Sequence, residues 1–197
     1  MKSNNKVLLA FIAVVGIVIL AFIFFYLYGT SVYDGAVERK TNLDKSWANV
    51  QAVYQRRADL VPNLVATVQG AADNEKEILT EVTKARAGMA NATTPAELQQ
   101  QGDIINRNIA VVFEKYPEIR STENFQKLQD ELAGTENRIS TERIRYNESV
   151  QAYNSYIKGF WRKKALGLVS DGDEEFTEAK GFEAEAGSDK APEVKFN

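Results

Sequence analysis

The sequence predicts an all-α protein: an N-terminal single transmembrane helix, then an antiparallel up-and-down four-helix bundle, then a mostly irregular acidic C-terminal tail. Three observations predict this. Residues 7–28 carry no charged side chain. From Leu43 onward, apolar residues recur at alternating steps of four and three, the period of one helix face. No segment alternates with the period of a strand. The chain divides accordingly into an anchor at 1–30, a bundle domain at 31–165 and an acidic tail at 166–197.

The anchor comes first. Val7 to Tyr28 spans about 33 Å as a helix, enough for a hydrocarbon core of about 30 Å. Phe22, Phe24, Phe25, Tyr26 and Tyr28 crowd its far end, where an aromatic belt belongs. A cleaved secretory signal would need a shorter apolar core and a small-residue cleavage site, and this stretch runs into bulky aromatics instead. The anchor therefore makes membrane lipid the partner of residues 7–28. Lys2 and Lys6 precede it; Arg39, Lys40 and Lys45 follow at a greater distance. By count the two sides nearly tie, and proximity favours a cytoplasmic amino terminus with an external domain.

The first stripe is Leu43, Trp47, Val50, Tyr54, Arg57, Val61, Leu64, Val68 and Ala71. Pro62 falls inside it, but the stripe keeps phase, which predicts a kink and not a break. Gly70 and the segment to Asn74 predict a turn, with Asn74 and Glu77 resembling a capping box. The next stripe is Ile78, Val82, Ala85 and Met89. Thr94 is placed to cap a third helix whose first position is Pro95. Tyr116-Pro117 ends that helix, and Ser121 or Thr122 starts a fourth. The fourth stripe is Phe125, Leu128, Leu132, Thr135, Ile139, Glu142, Tyr146, Val150, Tyr153 and Ile157. Helices at 32–70, 74–90, 95–116 and 121–158 would measure about 58, 25, 33 and 57 Å. Up, down, up, down then nearly closes, and the short connections imply antiparallel neighbours.

Composition narrows the function. The chain has 197 residues, no Cys and no His. That excludes thiol nucleophiles, thiolate metal sites, imidazole acid–base chemistry and a Ser-His-Asp triad. The net charge of −3 hides an uneven distribution. Residues 166–197 carry 9 acidic and 3 basic side chains, the pattern of a solvated end. Residues 31–165 are nearly balanced, so no basic field supports nucleic-acid binding. Glu75, Glu77 and Glu81 suggest a carboxylate metal site, but di-iron bundles pair Glu with His, which is absent. Asp171-Gly-Asp173-Glu-Glu175 opens like a calcium loop, yet Phe176 and Phe182 stand where Gly and Glu are needed. No cofactor and no metal are expected, although a glutamate pair alone can act as acid and base.

Two groups of residues stand out. Arg57 interrupts an apolar stripe, and a charge in a bundle core must be paired. With the first and fourth helices antiparallel, it faces the stretch between Glu131 and Glu136. Tyr54, Asn63 and Asn137 are assigned to the same structural polar layer. The second group is Phe160 with Trp161, Arg162, Lys163 and Lys164. Aromatics at headgroup depth beside a basic triplet suit contact with anionic lipid. The bland alternative is a frayed helix end with solvated lysines and Trp161 packed on the bundle.

Arg56-Arg57-Ala-Asp59-Leu-Val-Pro62-Asn63-Leu-Val, followed by Glu75-Lys76 and Thr83-Lys-Ala-Arg86-Ala, resembles the signature of the LemA family. So does the block from Asn124-Phe125 through Leu128, Glu131-Leu132 and Thr135-Glu136-Asn137 to Ile139, with Arg145-Tyr146-Asn147, Tyr153-Asn154 and Pro192-Glu-Val194-Lys-Phe196 after it. Trp161 departs from the pattern, since a proline commonly follows the phenylalanine there. The resemblance implies an anchored antiparallel bundle in the bacterial inner membrane with no established activity. It also implies an amino terminus outside the cytoplasm, against the proximity of Lys2 and Lys6, and leaves the side of the soluble domain open.

The leading expectation is a non-enzymatic scaffold or adaptor for membrane proteins, compatible with self-association through the bundle face. A lipid-organising protein acting through 160–164 is the alternative. A ligand-binding or hydrolytic site in the Arg57, Glu131, Glu136 layer is a third.

Overall fold

A computed structural model describes residues 2–69, 76–115, 123–170 and 176–183. Five helices account for nearly all of them, and no strand occurs among the described residues. They are α1 (Lys2–Gln69), α2 (Lys76–Asn91), α3 (Pro95–Lys115), α4 (Glu123–Ile157) and α5 (Phe160–Val169). The expected turn at 70–74, the stop at Tyr116-Pro117, the starts at Ser121 or Thr122, Glu75, and the segments 171–175 and 184–197 lie outside the described residues.

α1 joins the apolar stretch to the first stripe as one helix and passes through Pro62. By length and composition it can cross a membrane, with a mean hydropathy of 3.2 in its most apolar window. Its large apolar side chains from Leu8 to Leu27 are exposed, Phe22 at 79%.

The chain forms two compact units, each drawing on segments distant in sequence. The first comprises Met1–Asp44 and Ser149–Ala179. Its core is Val32, Ala36 and Leu43 of α1, Val150, Tyr153 and Ile157 of α4, and Ala165 and Leu166 of α5. The second comprises Lys45–Glu148 and Lys180–Asn197. Its core draws on Val50, Tyr54 and Val61 of α1, Val82, Ala85 and Met89 of α2, Leu98 and Ile105 of α3, and Phe125, Leu132, Ile139 and Tyr146 of α4. The helical period is therefore realised as burial: nearly every described stripe position faces inward. Within this unit α1 and α4 run antiparallel, because Trp47 meets Tyr146 while Arg57 meets Glu136. α2 and α3 also pair antiparallel, Gly88 lying against Gln101 and Glu81 bonding Asn108.

Local signals explain where the helices begin and end. At the start of α3, Thr94 Oγ1 accepts the Glu97 amide at 3.3 Å, and the Glu97 carboxylate accepts the Thr93 and Thr94 amides at 2.9 and 3.3 Å. That reciprocal arrangement is a capping box, with Pro95 in the position where its missing N–H costs nothing. α4 stops at Ile157, and Gly159, with ψ at 129°, leaves helical geometry before α5 begins.

Two sequence expectations need correction. The segment after 158 is not a frayed end: α5 is a separate helix over Phe160–Val169. Its sequence has too short an apolar stripe to announce a helix by period. The tail is not wholly solvated either. Residues 176–183 are irregular but packed, with Phe182 only 7% exposed.

Candidate functional site

In the second unit, Arg57 is buried among apolar neighbours on α1, yet its guanidinium is engaged on two sides. Nη1 donates to Glu136 Oε2 of α4, and Nη2 donates to Asn106 Oδ1 of α3. Its side chain is 7% exposed, that of Glu136 49%. Tyr54 lies one turn earlier on α1, and burial pushes its phenol up to about 12, with Glu136 and Asp103 adding to the rise and Arg143 and Arg57 opposing it. Glu131, Asn63 and Asn137 are exposed. Glu131 directly precedes the buried Leu132, and Glu136, one position after the buried Thr135, reaches Arg57. Sequence reasoning missed Asn106, which carries no signal beyond an amide on an otherwise polar helix face.

A second cluster in this unit was not anticipated. Phe182 sits between three aromatic rings, with centroids 6.3 Å from Trp47, 6.4 Å from Tyr54 and 5.7 Å from Tyr146. The Arg143 guanidinium lies 4.9 Å from its ring centroid. Asn147 of α4 grips its backbone from both sides: Nδ2 donates to the Phe182 carbonyl at 3.1 Å, and Oδ1 accepts the Phe182 amide at 2.8 Å. Tyr146 Oη donates to the Lys180 carbonyl at 3.1 Å, and Arg143 donates to the Glu183 carbonyl at 3.2 Å.

The first unit contains the same clamp. Asn154 Nδ2 donates to the Ala179 carbonyl at 2.8 Å, and its Oδ1 accepts the Ala179 amide at 2.9 Å. Phe176 meets the Tyr33 ring edge-on at 5.5 Å. Nearby, Tyr156 lies between two guanidinium groups, Arg39 at 3.9 Å and Arg162 at 4.3 Å, and donates to the Val32 carbonyl at 3.3 Å. Trp161 is 68% exposed and Phe160 67%; Arg162, Lys163 and Lys164 are exposed beside them. A half-open cavity of about 350 Å³ is lined by Ile157, Lys163, Leu166 and Phe176, with the Lys158–Glu178 ion pair at 2.9 Å in its wall.

Among the described residues, no group of three or more acidic side chains gathers at metal-binding spacing. Glu81, considered above for a metal, accepts a hydrogen bond from Asn108 at 3.2 Å.

The LemA family model matches residues 46–196. The chain belongs to the LemA family. A curated relative, Protein LemA of Metamycoplasma hominis, is 28% identical over 116 residues, which cover 57% of this chain and 53% of the relative. The chain thus spans about half the length of that relative. Some of the residues that carry the LemA resemblance have a visible structural part to play. Phe125, Leu128, Leu132, Thr135 and Ile139 are buried on α4. Tyr146, Asn147 and Asn154 hold the backbone of residues 179–182.

Proposed function

We propose that this LemA-family chain is a membrane-anchored, non-enzymatic scaffold for membrane proteins. In this reading α1 to α4 form an antiparallel up-and-down four-helix bundle, the apolar start of α1 is a single-pass anchor in the bacterial inner membrane, and the acidic tail follows. The observation that carries it is the way the polar groups are used. Arg57 is bonded to Glu136 and Asn106, and the amides of Asn147 and Asn154 are bonded to backbone, so these groups bind the protein to itself instead of converging on a substrate. α1 supports an anchor directly coupled to packed helix, since the apolar stretch and the buried Val32 and Ala36 belong to one unbroken helix. Affinity capture of the full chain from mild detergent should return a reproducible membrane protein; repeated captures without one would overturn the reading. Protease treatment of cells with the outer barrier opened, probing a tag after Asn197, would assign the side on which that partner is sought.

A second reading, a lipid-organising protein, is favoured by one feature of the first unit. α5 leaves Phe160, Trp161 and Leu168 exposed, and its Val169 packs against Gly29, directly after the apolar stretch. Aromatic and apolar side chains beside Arg162, Lys163 and Lys164 match a headgroup layer. With Trp47→Phe, Trp161 is the remaining tryptophan. Strong quenching of its fluorescence by brominated lipid in reconstituted vesicles would support this reading, and emission unaffected by the bromine would end it.

A further inference from the structure

The slot that holds Phe182 has the construction of a peptide-recognition site. Its walls all come from residues of the helices in the second unit: Trp47 and Tyr54 on α1, Arg143, Tyr146 and Asn147 on α4. Four of its hydrogen bonds are directed at main chain, to the Lys180 carbonyl, both polar groups of Phe182 and the Glu183 carbonyl. Such bonds supply affinity without reading side chains, and specificity then rests on the pockets. Only two positions are read here. One is the aromatic ring of Phe182, enclosed by three rings and a guanidinium. The other is Gly181, where an added Cβ would sit 2.7 Å from Asn147 Oδ1, so a larger residue displaces the amide that grips the backbone.

We propose that this slot is a docking site for partner proteins, which present a non-helical segment with an aromatic residue directly after glycine, and that residues 180–183 fill it in the resting chain. The inference deepens the scaffold reading and rests on it for the partner's identity as a protein. Exchange is physically reasonable because the occupant is joined to the slot by no helix or covalent link of its own. It is a short irregular segment, and the bonds it makes are ones any backbone can make. Its advantage is that of a tethered ligand, an effective concentration of the order of millimolar.

The test uses the full chain in detergent or nanodiscs and a fluorescent peptide with the sequence of residues 176–183. Phe182→Ala vacates the slot. The peptide should bind that variant saturably, and the unaltered chain about 100-fold more weakly because its own tail competes. Equal affinity for the two chains would place the binding elsewhere and overturn the proposal, as would no binding to a Phe182→Ala chain that melts like the unaltered one. If Phe182→Ala fails to fold, Gly181→Ala loosens the tail without altering a helix, and the same comparison applies. Replacing Phe182 of the peptide by alanine should abolish binding, and replacing its Phe176 should not. A peptide with unrelated flanks around Gly-Phe should bind within about tenfold of the native one, since the bonds are to main chain. A strict need for the native flanks would overturn the partner reading in favour of tail exchange between copies of this chain. Failed capture of a partner counts against the scaffold and leaves these titrations unchanged. Failed peptide binding removes the slot and leaves the scaffold its other surfaces.

Discussion

Arg57 on α1 donates to Glu136 on α4, and the two side chains differ sharply in environment, 7% against 49% exposed. The buried partner holds the charge that must be compensated, while the exposed one can turn to water. Arg57 Nε is buried without a hydrogen-bond partner among the described residues, so the cation leans on Glu136 and Asn106. Glu136→Gln should cost about 1–2 kcal/mol in urea denaturation followed by helical circular dichroism, below the ~3–5 kcal/mol of a fully buried pair because solvent screens this carboxylate. Adding Arg57→Met should recover most of the loss. A double variant no more stable than Glu136→Gln would mean that the pair does not hold the charge.

Tyr54 offers a pH signature. Its phenol is pushed up from 10.0 to about 12, mainly by burial, and Tyr153 is shifted in the same direction by burial and then by Asp44. An acid whose folded value exceeds its unfolded one contributes its full stability below the unfolded value. That share is lost as pH climbs from about 10 through 12. Spectrophotometric titration of the 8 tyrosines should therefore show a late phenolate step that shrinks in Tyr54→Phe. The variant should also lose stability less steeply between those two pH values.

The capping box on α3 predicts a local effect. Thr94→Ala removes the acceptor for the Glu97 amide and should destabilise the chain by about 1 kcal/mol. Hydrogen bonds from Thr93, then Thr94, hold the Glu97 carboxyl below its ordinary 4.5. Its stabilising share is present above that value and lost as pH falls through the lower folded one. Acid denaturation of Glu97→Gln should accordingly be less steep below pH 4.5 than that of the unaltered chain.

Gly35 is required by a close approach in the first unit. An added Cβ would collide with the Tyr156 hydroxyl and ring, the group that sits between Arg39 and Arg162 and reaches the Val32 carbonyl. Gly35→Ala should cost about 1–3 kcal/mol and speed proteolysis near Lys158 and Arg162. Tyr156→Phe in the same background should not restore stability, because the ring remains in conflict with the new methyl group. Full recovery by that change would show that the hydroxyl alone was displaced.

Much of the helical plan was legible in the sequence because it is written locally. Leu43 to Val61 and Phe125 to Ile157 repeat at the pitch of a helix, and Thr94-Pro95 announces a start by chemistry confined to four residues. The apolar stretch at 7–28 was equally legible, since length and lack of charge need no tertiary context. The pairing of Arg57 with Glu136 could be approached from the register of two antiparallel helices, but its third member, Asn106, could not, because α3 adds no periodic mark at that position. α5 escaped because its buried pair, Ala165 and Leu166, is too short to display a period.

What the sequence by itself determined is therefore the α-helical class, the apolar N-terminal helix and the inward faces, all set by spacing and by local capping. What only the tertiary structure decided is where residues 176–183 go. Asn147 and Asn154 bind backbone, which is the same at every position, so apart from the space that Gly181 leaves for the Asn147 amide the tail carries no residue pattern that records these bonds. Phe182 gains its meaning only from the rings of Trp47, Tyr54 and Tyr146, which folding brings to it from distant parts of the chain.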